Sequence, residues 1–324
     1  MSIAFSRKMI LPFLAVLLLS FFISACGGRS QATLVSGKIN IVASFYPLYD
    51  FTRNIGGEHV NVINFVPAGV EPHDWSPKSR DMKNLNGAEL FVYLGAGFEG
   101  WVDDTLKSMP KDAKTAVLEA SKGIALLPAG EHDDHDHGHE DNKGKKDSHE
   151  SEYDPHVWLS PANAKQIALN IKDALVKVDG AHQADYEANY KKYAEQLDQL
   201  DAKYKAELSK TPKKEIVVTH QSFGYLAKQY GLTQKAIMGL SPDAEPTSKD
   251  MKDILQFIKN NQVKFIFFED LVSDKLAKTL AKDAGVETLV LSPVEGLTSE
   301  QEKQGANYIT LMNNNLNNLI KALQ

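Results

Sequence analysis

The sequence predicts an α/β protein of two lobes, each built on a parallel-type sheet flanked by helices, with one long helix joining them. Three observations carry this. Short apolar runs rich in β-branched residues alternate with stretches of helical period through both halves of the chain. Four such runs precede a stretch at 183–210 that contains almost no helix breaker, and four follow it. Strands separated by helices pair in parallel and are covered by those helices.

The chain begins with Arg7 and Lys8, an apolar run over 10–23, and Ser24-Ala25-Cys26-Gly27-Gly28. That run falls short of the ~20 apolar residues a spanning helix needs and has the layout of an export signal, expected at 1–25. Cys26 is the only cysteine, so no intrachain disulfide is possible. Placed after two small residues, it resembles the lipid-attachment cysteine of bacterial lipoproteins. Residues 26–37 then read as the lipidated cysteine and a flexible spacer.

Removing 1–25 takes away two cations and no acid, moving the formal charge from −6 to −8. With a pI near 5.9 and no basic stripe, nucleic acid is not an expected partner. Nothing in the sequence calls for an oligomer, and a monomer is expected.

The first lobe is expected at 38–180, with strands at 38–43, 60–66, 89–94 and 115–119 and a helix at 161–178. The linker helix falls in 181–211. In the second lobe, 212–324, strands are expected at 215–219, 234–238, 264–268 and 287–291, with a closing helix from Ser299 to the C-terminus. The segment 79–85, Ser-Arg-Asp-Met-Lys-Asn-Leu, is echoed at 248–254 as Ser-Lys-Asp-Met-Lys-Asp-Ile, each after a Glu-Pro pair. The echo predicts a duplicated scaffold with the metal function grafted onto one copy.

Histidine marks the chemistry. A tract at 131–152 mixes His132, His135, His137, His139 and His149 with Asp, Glu, Lys and Gly; it lacks the apolar residues of a core and is expected to be disordered without metal. Its histidines are expected to bind additional metal weakly, because a floppy site must be ordered on binding. Glu71-Pro72-His73-Asp74-Trp75 and Asp154-Pro155-His156-Val157-Trp158 share one pattern, acid-Pro-His-X-Trp. Proline fixes its own φ and extends the residue before it, which stiffens each loop where a ligand would be held. His220 closes the apolar run 215–220, and Glu269-Asp270 ends the run 264–268.

These positions fall at the carboxyl ends of strand candidates, where open α/β sheets bind ligands, two in each lobe. A single site in the cleft between lobes follows. Three imidazoles and a carboxylate suit tetrahedral Zn2+ better than the all-oxygen shells of Mg2+ or Ca2+, although ligand chemistry alone leaves Cu2+, Ni2+ and Mn2+ open. His59 and His182, in polar settings, are expected at the surface. Phe223, Tyr225, Phe265 and Phe267 are expected to pack in the core or the cleft wall.

At these residues the chain resembles the lipoproteins that feed zinc ABC transporters, the zinc-specific branch of the extracytoplasmic solute-binding proteins. The resemblance covers essentially the whole chain: the lipid-attachment signal, 66–75, the His-rich tract, 154–161, 219–225 and 267–270. It implies two lobes, each with a four-stranded sheet and surrounding helices, bridged by a long rigid helix, with the metal in the cleft. It places the family's three histidines on His73, His156 and His220. In the manganese-binding relatives the third is a carboxylate, so His220 argues for zinc. For the fourth position, Glu269 is expected ahead of Glu71, Asp270 or water. The implied function is capture of Zn2+ outside the cytoplasm and delivery to an ABC permease and its ATPase, with the protein held at the cell membrane by lipidated Cys26. An enzyme is not expected: the chain has neither a His-Glu-X-X-His helix nor a Gly-X-Ser-X-Gly motif. A metal-dependent surface adhesin is the alternative from another class, with a zinc hydrolase behind it.

Overall fold

The computed structural model describes residues 33–129, 152–242 and 246–324. Packing divides the chain into residues 1–33 and residues 34–324, and every element below belongs to the second unit. Cys26 and the five histidines of the tract lie outside the described residues, as does Glu245 of the second Glu-Pro pair.

The first sheet holds β1 (Ile39–Ala43), β2 (Val60–Asn64), β3 (Leu90–Tyr93) and β4 (Ala116–Glu119), all parallel in the order β2-β1-β3-β4. After the linker come β7 (Glu215–Val218), β8 (Thr233–Ala236), β9 (Phe265–Phe268) and β10 (Glu287–Val290), parallel in the order β10-β9-β7-β8. Taken from the other edge, the second sheet repeats the strand order of the first. The echoed segments occupy equivalent places: α2 (Ser79–Asn86) leads into the third strand of its sheet, and α7 (Ser248–Asn261) into the third strand of the other. Both start alike, with Asp81 accepting the Lys78 backbone N–H and Asp250 that of Thr247, each at 2.8 Å.

Successive strand residues face opposite sides of the sheet, and both sides are covered. Ile41, Ala43, Leu90 and Val92 join the main core, while Val42 and Phe91 join a second cluster with Phe65 and Leu85. In the other sheet Ile216, Val218 and Phe267 join that same main core, and Val217 and Ile266 pack against Ile254 of α7 and Leu280 of α8 (Lys275–Ala284).

The long α5 (Gln183–Leu208), 26 residues and so about 39 Å at 1.5 Å per residue, packs against the helices at 46–56, 161–178 and 308–322. Tyr186, Tyr193, Leu197, Leu200, Tyr204 and Leu208 form its buried stripe. The preceding α4 (Pro161–Val178) matches the expected bounds, with Pro161 in the first turn and the Ser160 side chain accepting the Asn163 N–H.

Two departures have local causes. The closing helix is broken into α9 (Ser299–Lys303) and α10 (Tyr308–Ala322), because Gly305 turns left-handed at φ +69 and the Asn307 side chain caps a fresh start by accepting the Thr310 N–H. A two-stranded antiparallel ribbon pairs β5 (Leu127–Pro128) with β6 (Tyr153–Asp154). Strands of two residues leave no periodicity to read.

Candidate metal centre

His73 sits in the turn after β2, His156 just past β6, and His220 two residues beyond β7. Glu295 lies in the loop 292–296 after β10. The structure brings one donor atom from each of these four residues within 4.8 Å of the others. His156 and His220 are fully buried and Glu295 is 1 % exposed, while the His73 side chain keeps 11 % of its surface.

The spacing is that of a coordination shell. His156 Nε2 and His220 Nε2 are 3.3 Å apart, and Glu295 Oε1 stands 3.2 Å from His156 Nε2, 3.4 Å from His73 Nε2 and 3.7 Å from His220 Nε2. Metal–nitrogen bonds of ~2.0–2.1 Å in a tetrahedron place neighbouring donors ~3.3 Å apart. His73 Nε2 and both Glu295 oxygens are buried without a hydrogen-bond partner, and His156 Nε2 and His220 Nε2 have each other, so no other group of the protein occupies the point between them.

Carboxylates behind the imidazoles set which nitrogen is bare. Asp154 Oδ1 accepts from the His156 backbone N–H at 2.9 Å and from Nδ1 at 2.8 Å. Glu269 Oε1 lies 2.5 Å from His220 Nδ1 and accepts the Thr219 hydroxyl at 2.6 Å. With Nδ1 held by the carboxylate, Nε2 is the nitrogen turned towards the centre, ready to bind an ion once it is free of its proton. Glu269 is not one of the four converging donors: its Oε1 is engaged by the Nδ1 side of the His220 ring and by Thr219, and its Oε2 is buried without a hydrogen-bond partner. Glu71 Oε1 accepts the His73 backbone N–H at 3.3 Å, so in both Pro-His loops the leading acid caps the histidine two residues on. Asp270, the other expected alternative, accepts from Gln301 at 3.1 Å.

The tryptophan of the second loop ties the centre to the loop after β10. Trp158 is fully buried, packs 5.3 Å from the His156 ring and donates its indole N–H to Pro293 O at 2.8 Å. Phe98 closes another side, its ring 4.9 Å from that of His73. Trp75 turns away to pack on Phe65 and Trp101. Behind Pro293, Val294 is held at φ +57, an unfavourable conformation for a β-branched residue, while Asn315 bonds the backbone of Ser292 in both directions. This braced, strained turn aims Glu295.

Charge on the donors reflects their mutual attraction. Burial opposes ionisation of Glu295, but His73, His156 and His220 hold its carboxyl well below the usual range. Burial likewise disfavours the charged form of His156, yet the nearby carboxylates of Asp154 and Glu295 push it up to about 9. Glu71 is pushed up to about 9 by burial and by the charge on Glu295.

Sequence reasoning missed Glu295. Its one signal was position: the end of the eighth strand candidate, the remaining carboxyl-terminal edge beside the cleft, carries Pro293-Val294-Glu295-Gly296.

Residues 41–322 match the family described as ZnuA, zinc-uptake complex component A, periplasmic. The chain belongs to the ZnuA family. It is 40% identical over 307 residues to the zinc-binding protein AdcA of Streptococcus pyogenes, covering 93% of this chain and 59% of AdcA. It therefore spans well under two thirds of the length of those AdcA relatives. With the high-affinity zinc uptake system protein ZnuA of Bacillus subtilis it shares 40% identity over 304 residues, 93% of each chain. Among solved structures, the Zn(II)-bound ZnuA-like domain of Streptococcus pneumoniae AdcA superposes with a TM-score of 0.75 at 38% identity, covering 89% of this chain and 99% of the domain. The laminin-binding protein Lmb of Streptococcus agalactiae, described as having adhesin and metal transporting activity, gives 0.75 at 32% identity over 88% of this chain and all of Lmb.

Proposed function

We propose that this chain captures Zn2+ on the Nε2 atoms of His73, His156 and His220 and the carboxylate of Glu295, and delivers it to an ABC permease driven by its ATPase. The carrying observation is the convergence of three imidazole nitrogens and one carboxylate within 4.8 Å. Each imidazole of the buried pair is backed by its own carboxylate, a pattern that orients metal-binding histidines. Family membership supports zinc as the cargo and transport as the purpose.

Four protein donors also support carriage over catalysis, since a catalytic zinc keeps one position open for water. In this reading Glu269 orients His220 and Glu295 completes the shell. Lipidated Cys26 would hold the protein on the outer face of the membrane, within reach of the permease, and the tract 131–152 would bind further zinc weakly. Adhesion is a second reading, favoured by the likeness to Lmb.

A competitive titration of the metal-stripped full chain with zinc, in parallel with manganese, nickel and copper, tests this. One tight zinc site is expected, lost in both His73→Ala and His220→Ala. Tight binding that survives both substitutions would overturn the assignment. Failure of a gene deletion to reduce zinc uptake, with adhesion impaired, would favour the second reading.

A further inference from the structure

Tyr225, 5 % exposed, lies in α6 (Gly224–Tyr230), the helix that follows His220 in the second lobe. Its hydroxyl reaches the ribbon of β5 and β6 from the opposite side of the cleft, accepting the Leu127 N–H at 2.9 Å and donating to Asp154 C=O at 2.7 Å. Leu127 and Asp154 are register partners, so one oxygen grips both strands at the same rung. Its neighbour Gly224 touches the other end of the same residue. A Cβ there would lie 2.5 Å from Asp154 Oδ2.

Asp154 is the residue whose Oδ1 fixes both the backbone and the ring of His156. On the other side, only residues 221–223 separate His220 from Gly224, and these are pinned. Ser222 N–H bonds His220 O at 2.9 Å, Gln221 N–H bonds Gly239 O at 2.8 Å, and Phe223 N–H bonds the Gln234 side chain at 2.7 Å. A closed circuit results: His220, the pinned turn, Gly224 and Tyr225, Asp154, His156, and back across the 3.3 Å between the two Nε2 atoms.

We propose that Tyr225 is a positioning residue that fixes the His156–His220 spacing and thereby makes the centre selective for an ion of zinc's size. The inference rests on the capture reading above. Loss of the hydroxyl leaves Leu127 N–H and Asp154 C=O without this partner, and buried backbone groups in that state seek new partners by moving. The strand end that carries Asp154 then relaxes, and the two imidazoles are free to separate. A wider shell suits a larger soft cation such as Cd2+ as well as it suits Zn2+.

The test is a full-chain Tyr225→Phe variant, which keeps the ring and its packing, titrated with Zn2+ and with Cd2+, and loaded with Co2+ for its visible absorption. The expected result is about a tenfold loss in zinc affinity, within the range for outer partners of a metal site. Cadmium affinity should fall much less, and the Co2+ bands should lose the intensity of a tetrahedral site. Gly224→Ala, which displaces Asp154 from the other end, should shift the zinc-to-cadmium ratio the same way. Equal losses for both ions with unchanged Co2+ bands in both variants, or no loss at all, would overturn the proposal, because a purely structural role weakens the fold without changing which ion it prefers. Should the unsubstituted protein bind no zinc tightly, the capture reading fails instead.

Discussion

Asp154 Oδ1 accepts two hydrogen bonds from the single residue His156, one from its backbone and one from its ring, at 2.9 and 2.8 Å. Rotamer and tautomer are thereby fixed together. Asp154→Asn replaces a charged acceptor by a neutral one that can also present a donor, and zinc affinity should drop 10- to 100-fold, as for other outer partners of metal-binding histidines. Competitive titration reads this directly; an unchanged affinity would remove the orienting role.

Glu269 and Glu295 differ in what their loss should do. Glu269→Gln should weaken zinc binding while leaving three nitrogens and one carboxylate around the ion. Glu295→Gln should remove the carboxylate from the shell. X-ray absorption of the zinc-loaded variants counts the donors, and a lost oxygen in Glu269→Gln with an intact shell in Glu295→Gln would reverse the assignment.

Metal uptake should release protons. In the metal-free protein His156, pushed up to about 9 against the effect of burial by Asp154 and Glu295, carries a proton at neutral pH, and an ion on Nε2 must displace it. Below about 9 the free form therefore binds more protons than the loaded form, so acid favours the free form. Apparent zinc affinity should fall as pH drops, by up to ~tenfold per pH unit for each proton displaced. Calorimetry in two buffers of different ionisation heat gives the proton count, and a count of zero at pH 7 would contradict the site as described.

Away from the centre, Asp50 joins α1 (Tyr46–Gly56) to the linker and closing helices, accepting from the Tyr193 hydroxyl at 3.3 Å and the Tyr308 N–H at 3.4 Å. Burial pushes its carboxyl up to about 6, against those two donors and Arg53. The folded form thus binds the proton more tightly than the unfolded one. This contribution to stability is fully present below the unfolded value near 3.8 and is lost as pH rises through about 6. Asp50→Asn should flatten the stability profile between those values, where the slope from one group is at most ~1.4 kcal/mol per pH unit. Denaturant midpoints for the two proteins, compared across that window, check it.

The central strands were legible because parallel strands buried on both faces are apolar runs, and 265–268 is hard to hide, whereas the edge strand Thr233–Ala236, expected at 234–238, carries Gln234 and Lys235 and is only half-buried. Their pairing order was not written in any one run; it shows as the repeated order of the two sheets. His73 and His156 announced themselves by a shared five-residue pattern whose acid caps the histidine in both copies. Glu295 had no such pattern, since its direction comes from a strained Val294 and from Trp158 and Asn315, residues far away in sequence. The same limit applies to His59 and His182. Each reads as an ordinary surface histidine, yet their rings stack at 3.9 Å, with His59 bonded to Asp185 and His182 to Asp179.

The ribbon of β5 and β6 ends with the Ala129 N–H bonded to Glu152 O at 3.0 Å, so the chain on either side of 130–151 is held together at one clasp. Whatever is inserted, lengthened or deleted beyond that clasp need not disturb Asp154 or the geometry it imposes. A lineage could lengthen or shorten the tract while the four converging donors stay in place, and an engineer could graft a reporter or an affinity tag at the same point.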